Sequence, residues 1–405
     1  MRLLHPPAPA RESRGDRFGL APARGWPAAG APTVERCVAA FDHATSFTVG
    51  VEEELMLVDR RTLDLSPEVA RVLDLLGRDG RFEPELRAAQ LEIVTPVCVT
   101  ASDVCRELKA SRRALVERLP EQFRVLAAGT HPWATSWGEI TDGDRYRAIA
   151  DEYTWAATRT LVCGLHVHIA VGGAHRALAV FNALRSFLPE LAALAANSPF
   201  LEGVDTRMCS IRPKLNEFYP RSGIPPAFGT WEELVAFVSW GRSGGLFPDE
   251  SHFWYEMRPH PVHGTIEIRV ADTQTSVEDA SAFVALVQAL VAWLADRYDG
   301  GDALPVHETH WITENAWRAH RYGVRGWLVD LDSGVAEPTR DRLARLLDLL
   351  EPYAARFCAD EQLRAARTLL IGNGAERQRY VASRQGLAGV TRWLVDETER
   401  SAFDD

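Results

Sequence analysis

Lysine is almost absent from this chain of 405 residues, since it occurs only at Lys109 and Lys214 and the other basic residues are arginines. A phosphate-binding P-loop needs a lysine between a glycine and a serine or threonine, and neither lysine follows a glycine. Any nucleotide site must therefore be of another type. The formal net charge is -11 and no basic stripe is present, which argues against nucleic acid as a partner.

Cysteine pairs and membrane segments are also lacking. The six cysteines form no C-x-x-C pair, and their spacing suits neither a zinc ribbon nor a disulfide framework. We interpret them as buried thiols in a reducing compartment, which predicts a cytoplasmic protein. No apolar run approaches the roughly 20 residues of a membrane span, and residues 1–15 lack the apolar segment of a secretory signal. We therefore expect no membrane partner.

The chain divides into a short extension and one large body. Residues 1–43 are rich in Ala, Pro, Arg and Gly, which predicts a disordered extension whose deletion changes neither stability nor activity. Residues 44–405 are predicted to form a single domain. Strands alternate with helices there, but no glycine-rich strand-to-helix turn occurs, which favours an α+β fold with a mainly antiparallel sheet. The predicted strands cover 47–59, 90–96, 123–132, 164–171 and 264–272, long apolar helices cover 174–197 and 276–298, and the chain is helical from about 308.

Three consecutive glutamates interrupt the first strand, which reads "VGVEEELMLVD". Alternate residues of a strand share a face, so Glu52 and Glu54 point to one side and Glu53 to the other. If one face of the sheet is a pocket, two carboxylates enter it side by side.

Paired polar residues recur in three further strands of core character. The pairs are Glu85 and Glu92, His166 and His168, and Glu267 and Arg269. Each pair alone also fits an exposed or half-buried strand. Four such strands together indicate one polar site, because a buried carboxylate costs several kcal/mol unless it is paired or metal-bound. Facing carboxylates supply the oxygen ligands that Mg²⁺ prefers, and the arginine can neutralise a phosphate or a carboxylate.

A basic cluster lies in a loop-rich segment of the chain. It consists of Arg207, Arg212 and Lys214, and it fits either a solvated loop or an anion clamp on nucleotide phosphates. Asn315, Arg318 and Arg321 follow at near-helical spacing. This set fits a solvated helix face as well as it fits a functional role.

The order of these motifs resembles the carboxylate–amine ligase family, the bacterial type 2 glutamate–cysteine ligases related to the plant enzyme. The resemblance covers about residues 46–390 and rests on "VGVEEELMLVD", "ELRAAQLEIVTP", "GTHP", "GLHVHIAV", "DTRMCSIRPK", "GTIEIRVAD" and "ENAWRAHRYG". It implies a glutamine-synthetase-like fold, in which a curved, mainly antiparallel sheet forms a funnel with helices packed outside and ATP and Mg²⁺ inside.

The resemblance also implies roles for individual residues. The implied Mg²⁺ ligands are Glu52, Glu54, Glu85, Glu92, Glu267 and one of His166 and His168, with Glu83 competing with Glu85. Arg269 and Arg212 are implied to stabilise the transferring phosphoryl group. With the basic cluster read as an anion clamp, we expect nucleotide contacts from Arg207, Arg212, Lys214 and Arg269. The implied reaction joins the γ-carboxylate of glutamate to the amine of cysteine through an acyl phosphate formed from ATP.

Other readings of the same residues remain open. A ligase of the same fold could join another amine or another acid, because the motifs do not identify the residues that bind the amine. A zinc hydrolase could use His166 and His168 with one glutamate, although it leaves the other glutamates unexplained. A catalytically inactive binding protein is disfavoured by the intact set of acids. A homodimer is compatible with the sequence, but no residue pattern argues for it.

Overall fold

The computed structural model describes residues 33–77 and 79–404, and the fold of this part is α+β. The strands are β1 (Val49–Asp59), β2 (Phe82–Pro84), β3 (Gln90–Val94), β4 (Phe123–Leu126), β5 (Gly164–Ala170), β6 (Phe200–Leu201), β7 (Val204–Asp205), β8 (Ser222–Gly223), β9 (Trp254–Tyr255), β10 (Met257–His260), β11 (Thr265–Asp272), β12 (Trp327–Val329) and β13 (Ala336–Pro338). The helices are α1 (Val34–His43), α2 (Val69–Leu76), α3 (Ala101–Arg118), α4 (Asp144–Arg159), α5 (Ala174–Leu184), α6 (Leu188–Leu194), α7 (Arg212–Asn216), α8 (Trp231–Ser243), α9 (Val277–Asp299), α10 (Thr309–Tyr322), α11 (Thr339–Arg356), α12 (Asp360–Ile371) and α13 (Gly374–Arg400).

A seven-stranded sheet forms the centre of the described part. Its order is β10-β11-β5-β1-β3-β2, and β4 pairs with the second half of β1. All of these pairings are antiparallel, which confirms the predicted sheet type. The helices α3, α5, α11 and α12 surround α9, and α9 and α6 contact the sheet strands β5 and β11. One face of the sheet is thereby covered, and part of the other remains available for a site.

Strand β1 changes its surroundings halfway along its length. One face contributes Val49, Val51, Leu55 and Leu57 to the core between sheet and helices. On the other face, Met56 and Val58 pack with residues of α13. Both faces of the second half are therefore buried, which explains the unbroken apolar run at 55–58. On the first half, Glu52 and Glu54 occupy the face that α13 leaves free.

Glu53 points to the helical side, as the alternation predicts. Its carboxylate accepts two hydrogen bonds from Arg112 of α3, at 2.8 and 2.7 Å, and both side chains are fully buried. Arg112 also donates to the carbonyl oxygens of Thr275 and Gln274, each at 2.8 Å. Breaking such a buried pair from one side leaves an uncompensated charge. The pair therefore fixes the rotation of β1 about its axis, and with it the direction of the neighbouring glutamates.

The predicted extension is shorter than expected from composition. The structure shows that α1 is a helix whose Cys37 and Phe41 are buried, and the ring of Phe41 lies 4.7 Å from that of Trp231. The prediction of disorder across residues 1–43 is wrong for α1, because its apolar residues are four apart and form one face that packs on the body. Residues 1–32 lie outside the described part.

Two further expectations need correction. In the described part, Ala174–Leu194 and Val277–Asp299 are long and apolar enough to cross a membrane by length and composition, so the expectation that no run approaches this length was wrong. In each, 89% of the most apolar window is buried inside the protein, as in a core helix. The first is also not one helix, since a 3₁₀ turn at Arg185–Phe187 separates α5 from α6. The helical C-terminal region additionally contains the hairpin of β12 and β13.

We predict that Phe41→Ala lowers the free energy of unfolding by about 3 kcal/mol, because a large buried ring is removed from the contact between α1 and the body. The exposed Glu35 of the same helix provides the control, and Glu35→Ala is expected to change stability by less than about 0.5 kcal/mol. Chemical denaturation measures both variants. Equal stability of Phe41→Ala and the wild type would contradict the packing of α1.

Candidate active site

The polar pairs of four strands meet on the free face of the sheet. Residues directly opposite each other in antiparallel strands share a face. Glu52 lies opposite His166, Glu54 opposite Glu92, and His168 opposite Glu267. Glu85 follows β2 and reaches the same place from the edge of the sheet. The structure therefore brings together every acid and histidine that the sequence assigned to the site.

These side chains form three groups in which ligand atoms lie within 4.8 Å of one another. The groups are Glu52–His168–Glu267, Glu52–Glu92–His166 and Glu54–Glu85–Glu92. Glu52 and Glu92 each belong to two groups, so the three positions are contiguous. Carboxylates with one imidazole are a donor set that suits Mg²⁺ or Mn²⁺ better than zinc. The residues fit the divalent cations that the resemblance implies.

The structure favours Glu85 over Glu83 as the candidate ligand. Glu85 belongs to one of the three groups, whereas Glu83 is exposed and belongs to none of those found among the described residues. Both histidines take part, but each belongs to a different group. His168 has the geometry of a fixed ligand, because its Nδ1 lies 3.0 Å from Thr265 Oγ1 while its Nε2 lies 3.2 Å from Glu52.

The inner acids carry more negative charge than the site can hold without cations or protons. Burial raises the pKa of Glu54 to about 8, and the charge of Glu85 adds to the shift. Burial likewise raises the pKa of Glu85, and burial with the charge of Glu85 raises the pKa of Glu92 well above its ordinary range. These three glutamates form one of the groups, so this group is the one where a cation would replace protons most directly.

The outer acids are held ionised. Burial opposes the charge on Glu52, but hydrogen bonds to His166 and His168 outweigh it and hold the pKa of Glu52 well below its usual range. Burial also acts on Glu267, where the charges of Arg258 and Arg269 prevail and keep its pKa low. Burial and the charge of Arg269 lower the pKa of His166 to about 4, so this imidazole is neutral at pH 7.

Two arginines predicted as anion-binding groups line the cavity above the acids. Arg269 donates to Glu267, and the strand containing both has a register shift between Ile268 and Ala271 opposite β5. Arg212 is held by Asp272 at 2.9 Å and by the carbonyl oxygen of Arg269 at 2.8 Å. Both guanidinium groups are therefore fixed before any substrate binds, which suits stabilisation of transferred charge.

Asp272 anchors this arrangement from below. Besides Arg212 it accepts hydrogen bonds from Asn197 N, Ser198 Oγ and Ser210 Oγ, at 2.6 to 2.9 Å. Gly129 lies against it so closely that a Cβ would meet the Asp272 carboxyl carbon at 2.7 Å. A side chain at position 129 would therefore displace the support of Arg212.

Arg207 and Lys214 do not reach the site. Arg207 is exposed after β7, with a positive φ of 57°, and its backbone N–H donates to Asp205. Lys214 lies in α7 and pairs with Glu217, the residue that directly follows this helix. Neither is among the residues that line the cavity, so their assignment as nucleotide ligands stays a prediction that this geometry does not support.

The near-helical set on α10 is also remote from the acids. Asn315 exchanges hydrogen bonds with the backbone of Val329, at 2.7 and 2.9 Å, and so attaches the β12–β13 hairpin. Arg318 lines a separate cavity beside that hairpin. Arg321 donates to the carbonyl oxygen of Arg207.

The main cavity has a volume of about 500 Å³ and contains groups that the motifs did not suggest. These are Arg145 and Tyr146 of α4, Tyr219, Trp254 and Arg258. The position of Arg258 could have been predicted from the sequence, because a hairpin across Gly264 places this residue opposite Glu267. The others come from distant segments without a pattern of their own.

A second cavity of about 370 Å³ adjoins the main one along β1. The two share Glu52, and the second also contains His168. Its remaining lining is mostly aliphatic or hydroxylic, with Val94, Val97 and Thr48 among the residues, and it includes no arginine or lysine. The two spaces thus differ in charge and meet at the acid groups.

Two solved structures share this fold. The glutamate–cysteine ligase of Francisella tularensis in complex with AMP has a TM-score of 0.65 and 14% identity, covering 89% of each chain. A bifunctional glutathione synthetase from Pasteurella multocida has a TM-score of 0.62 and 15% identity, covering 91% of this chain and 54% of that one. The fold is thus that of the glutamate–cysteine ligases.

Sequence comparison narrows this class further. A protein from Rubrobacter xylanophilus, provisionally named glutamate–cysteine ligase 2-3, is 37% identical over 366 residues, covering 88% of this chain and 99% of its own. A relative from Mycolicibacterium smegmatis, provisionally named glutamate–cysteine ligase 2-1, is 37% identical over 356 residues, covering 86% and 93%. The model of glutamate–cysteine ligase family 2 matches residues 48–397. The chain belongs to this family of ligases.

We predict that metal-free protein loses stability as the pH rises towards 8. The raised pKa of Glu54 means that the folded state binds a proton more tightly than the unfolded state, so this contribution is complete below about 4.5 and lost as the pH passes about 8. Mg²⁺ is expected to offset the loss, and more strongly at higher pH, because it replaces the proton.

Thermal melting of the wild type and Glu54→Gln from pH 6 to 8.5, with EDTA or with Mg²⁺, measures this effect. The EDTA curve of Glu54→Gln is expected to fall less with pH than that of the wild type. Parallel curves for the two proteins would contradict the assignment of a shared proton to this group.

Proposed function

We propose that this protein joins the γ-carboxylate of glutamate to a primary amine, with cysteine as the first candidate, using ATP and Mg²⁺. The observation that carries the proposal is the row of three acid groups on the sheet, bordered by Arg269 and Arg212. Carboxylates that can hold cations lie beside two fixed guanidinium groups. This arrangement suits a reaction in which a phosphoryl group is transferred. The AMP in the related Francisella structure supports an adenine nucleotide as substrate.

The two cavities suggest where each substrate lies. An uncharged base and ribose suit the second cavity, which has no arginine or lysine, with the phosphates directed to the shared Glu52. Glutamate suits the main cavity, where Arg145 and Arg212 can pair with carboxylates. Its γ-carboxylate then meets the nucleotide above the acid groups.

The residues of the chain orient the reactants and balance their charge. The acid groups would hold Mg²⁺, which would supply positive charge to neutralise the phosphate oxygens. Arg269 and Arg212 stabilise the charge that develops as ATP phosphorylates the γ-carboxylate. The amine then attacks the acyl phosphate and phosphate leaves. No enzyme nucleophile is needed.

A zinc hydrolase is the weaker candidate. None of the ligand groups found among the described residues contains both histidines, and each group contains at least two glutamates. A ligase acting on another amine uses the same groups and remains the nearer alternative. A panel of amines decides between these substrates.

We predict ADP release that requires Mg²⁺, glutamate and an amine together, and that stops in Glu54→Gln because one acid group loses an ionic ligand. The assay measures ADP with glutamate and a panel of amines that includes cysteine. Turnover with another amine keeps the mechanism and changes the substrate. Full activity of Glu54→Gln, or bound zinc without ATP turnover, contradicts the proposal.

The division of the cavities gives a second prediction. Arg145→Ala is expected to raise KM for glutamate about tenfold or more, because a charged contact worth roughly 1.4 kcal/mol or more is lost. Val97→Asp, at an exposed wall position of the second cavity, is expected to raise KM for ATP instead, because its charge repels the nucleotide phosphates. Steady-state kinetics separate the two effects, and the opposite assignment of the KM changes contradicts the placement.

A further inference from the structure

A buried glutamate lies directly behind the two arginines of the site. Glu256 joins β9 to β10 and is 7% exposed. Its backbone N–H donates to Gly223 and its carbonyl oxygen accepts from Arg269 N, each at 2.8 Å. Glu256 therefore belongs to the part of the chain that fixes Arg269 where the register of β11 shifts.

Glu256 is one of the residues that line a small chamber beside the main cavity. The chamber measures about 10 Å³, which is roughly room for one water molecule. It shares four lining residues with the main cavity, namely Arg212, Asn216, Trp254 and Arg269. The chamber and the main cavity therefore lie on either side of the same four residues.

Both members of a buried pair beside this chamber lack full hydrogen bonding. Glu256 Oε1 lies 3.5 Å from Nε2 of His320, a residue of α10 that is 1% exposed. Glu256 Oε2 and both ring nitrogens of His320 have no hydrogen-bond partner among the described residues. Buried polar atoms without partners are costly, and they cluster where a group must exchange a proton or meet a substrate.

The proposed reaction needs a proton acceptor that the acid groups cannot supply. An alkyl amine arrives as an ammonium ion and must lose a proton before its nitrogen can attack. The glutamates of the three groups would be occupied by cations. The guanidinium groups of Arg212 and Arg269 cannot accept a proton.

We infer that Glu256 is the general base that takes the proton from the attacking ammonium group, through the chamber behind Arg212 and Arg269. This inference rests on the proposed ligase function. In the step, the ammonium N–H bond breaks and its proton passes to the Glu256 carboxylate by way of a water molecule. The freed electron pair of nitrogen forms the C–N bond, the C–O bond to phosphate breaks, and the departing phosphate takes the second N–H proton, which leaves a neutral amide.

The surroundings of Glu256 suit this role. His320 faces it from α10, Arg269 from β11, and Arg212, Lys214 and Glu217 from the region of α7. Burial raises the pKa of Glu256 to about 7 although the charges of Lys214 and Arg212 oppose the shift. Burial lowers the pKa of His320 far below its usual range, so the imidazole remains neutral beside it. A base that is half protonated near neutral pH accepts and returns protons readily.

Hydroxylamine tests the inference, because it is unprotonated at neutral pH and needs no base before it attacks. Glu256→Gln is expected to lose at least about 100-fold in rate with the alkyl amine substrate. The same variant is expected to form glutamyl hydroxamate from ATP, glutamate and hydroxylamine within about threefold of the wild-type rate. The acid limb of the wild-type pH profile with the amine is expected to disappear with hydroxylamine.

Two further variants define the controls. Glu217→Gln removes an exposed carboxylate near Glu256 and is expected to leave the ratio of the two rates unchanged. Glu256→Asp keeps a carboxylate and is expected to retain the acid limb at reduced rate with the amine, which preserves the test if the glutamine variant is unstable. Thermal melting of each variant reports the fold.

The outcomes separate failure of the inference from failure of the proposed function. Equal losses with the amine and with hydroxylamine in a folded Glu256→Gln protein would show a purely structural role and overturn the inference. Glu83 is an exposed residue that also lines the main cavity. A loss of rate with the amine alone in Glu83→Gln, with Glu256→Gln unaffected, would assign the base to Glu83 and overturn the inference. Wild-type protein that forms neither product would overturn the ligase function itself.

Discussion

Mutual repulsion among the carboxylates on one face of the sheet is the constraint on which the site depends. Glu54, Glu85 and Glu92 offer oxygen atoms to a single position, and burial makes their ionisation costly without cations or protons. A protein keeps such a cluster only if something positive regularly occupies it. The strands of the sheet hold these carboxylates close together against their mutual repulsion.

The rigidity comes from the opposite sides of the same strands. The buried pair of Glu53 and Arg112 fixes the rotation of β1, so the glutamates on either side of Glu53 face the cavity. Asp272 fixes Arg212, and Glu267 fixes Arg269. Arg212 and Arg269 are thus each paired with a carboxylate, and such fixed charges need little reorganisation during a reaction.

Much of the fold and of the acid set could be predicted from the sequence, because strand alternation is local information. The alternation of Glu52, Glu53 and Glu54 determines which side each faces, and the antiparallel sheet follows from the order of the elements. The spacing of Glu85 and Glu92 was visible in the sequence, and the resemblance to a known family supplied their expected role as metal ligands. Arg207, in a loop, and Lys214, in a helix of five residues, lie outside the lining of the cavity. Segments this short give no periodicity from which to read the direction of a side chain.

The remaining features depend on tertiary contacts. Tyr146 lines the cavity only because α4 lies across the edge of the sheet, and Glu256 gains its surroundings from three segments far apart in sequence. The helix α1 was missed because its composition resembles the preceding residues, and only its two buried apolar residues distinguish it. Composition averages over a segment, whereas packing depends on a few positions.

The measurement that tests the account most directly is anomalous X-ray diffraction from crystals grown with Mn²⁺ and a non-hydrolysable ATP analogue. The account predicts manganese peaks on the sheet face among Glu52, Glu54, Glu92 and Glu267, with the phosphates beside Arg269. Absence of metal from that face, or a single ion held by both His166 and His168, would contradict the central claim that the acid groups bind the cations of a ligase.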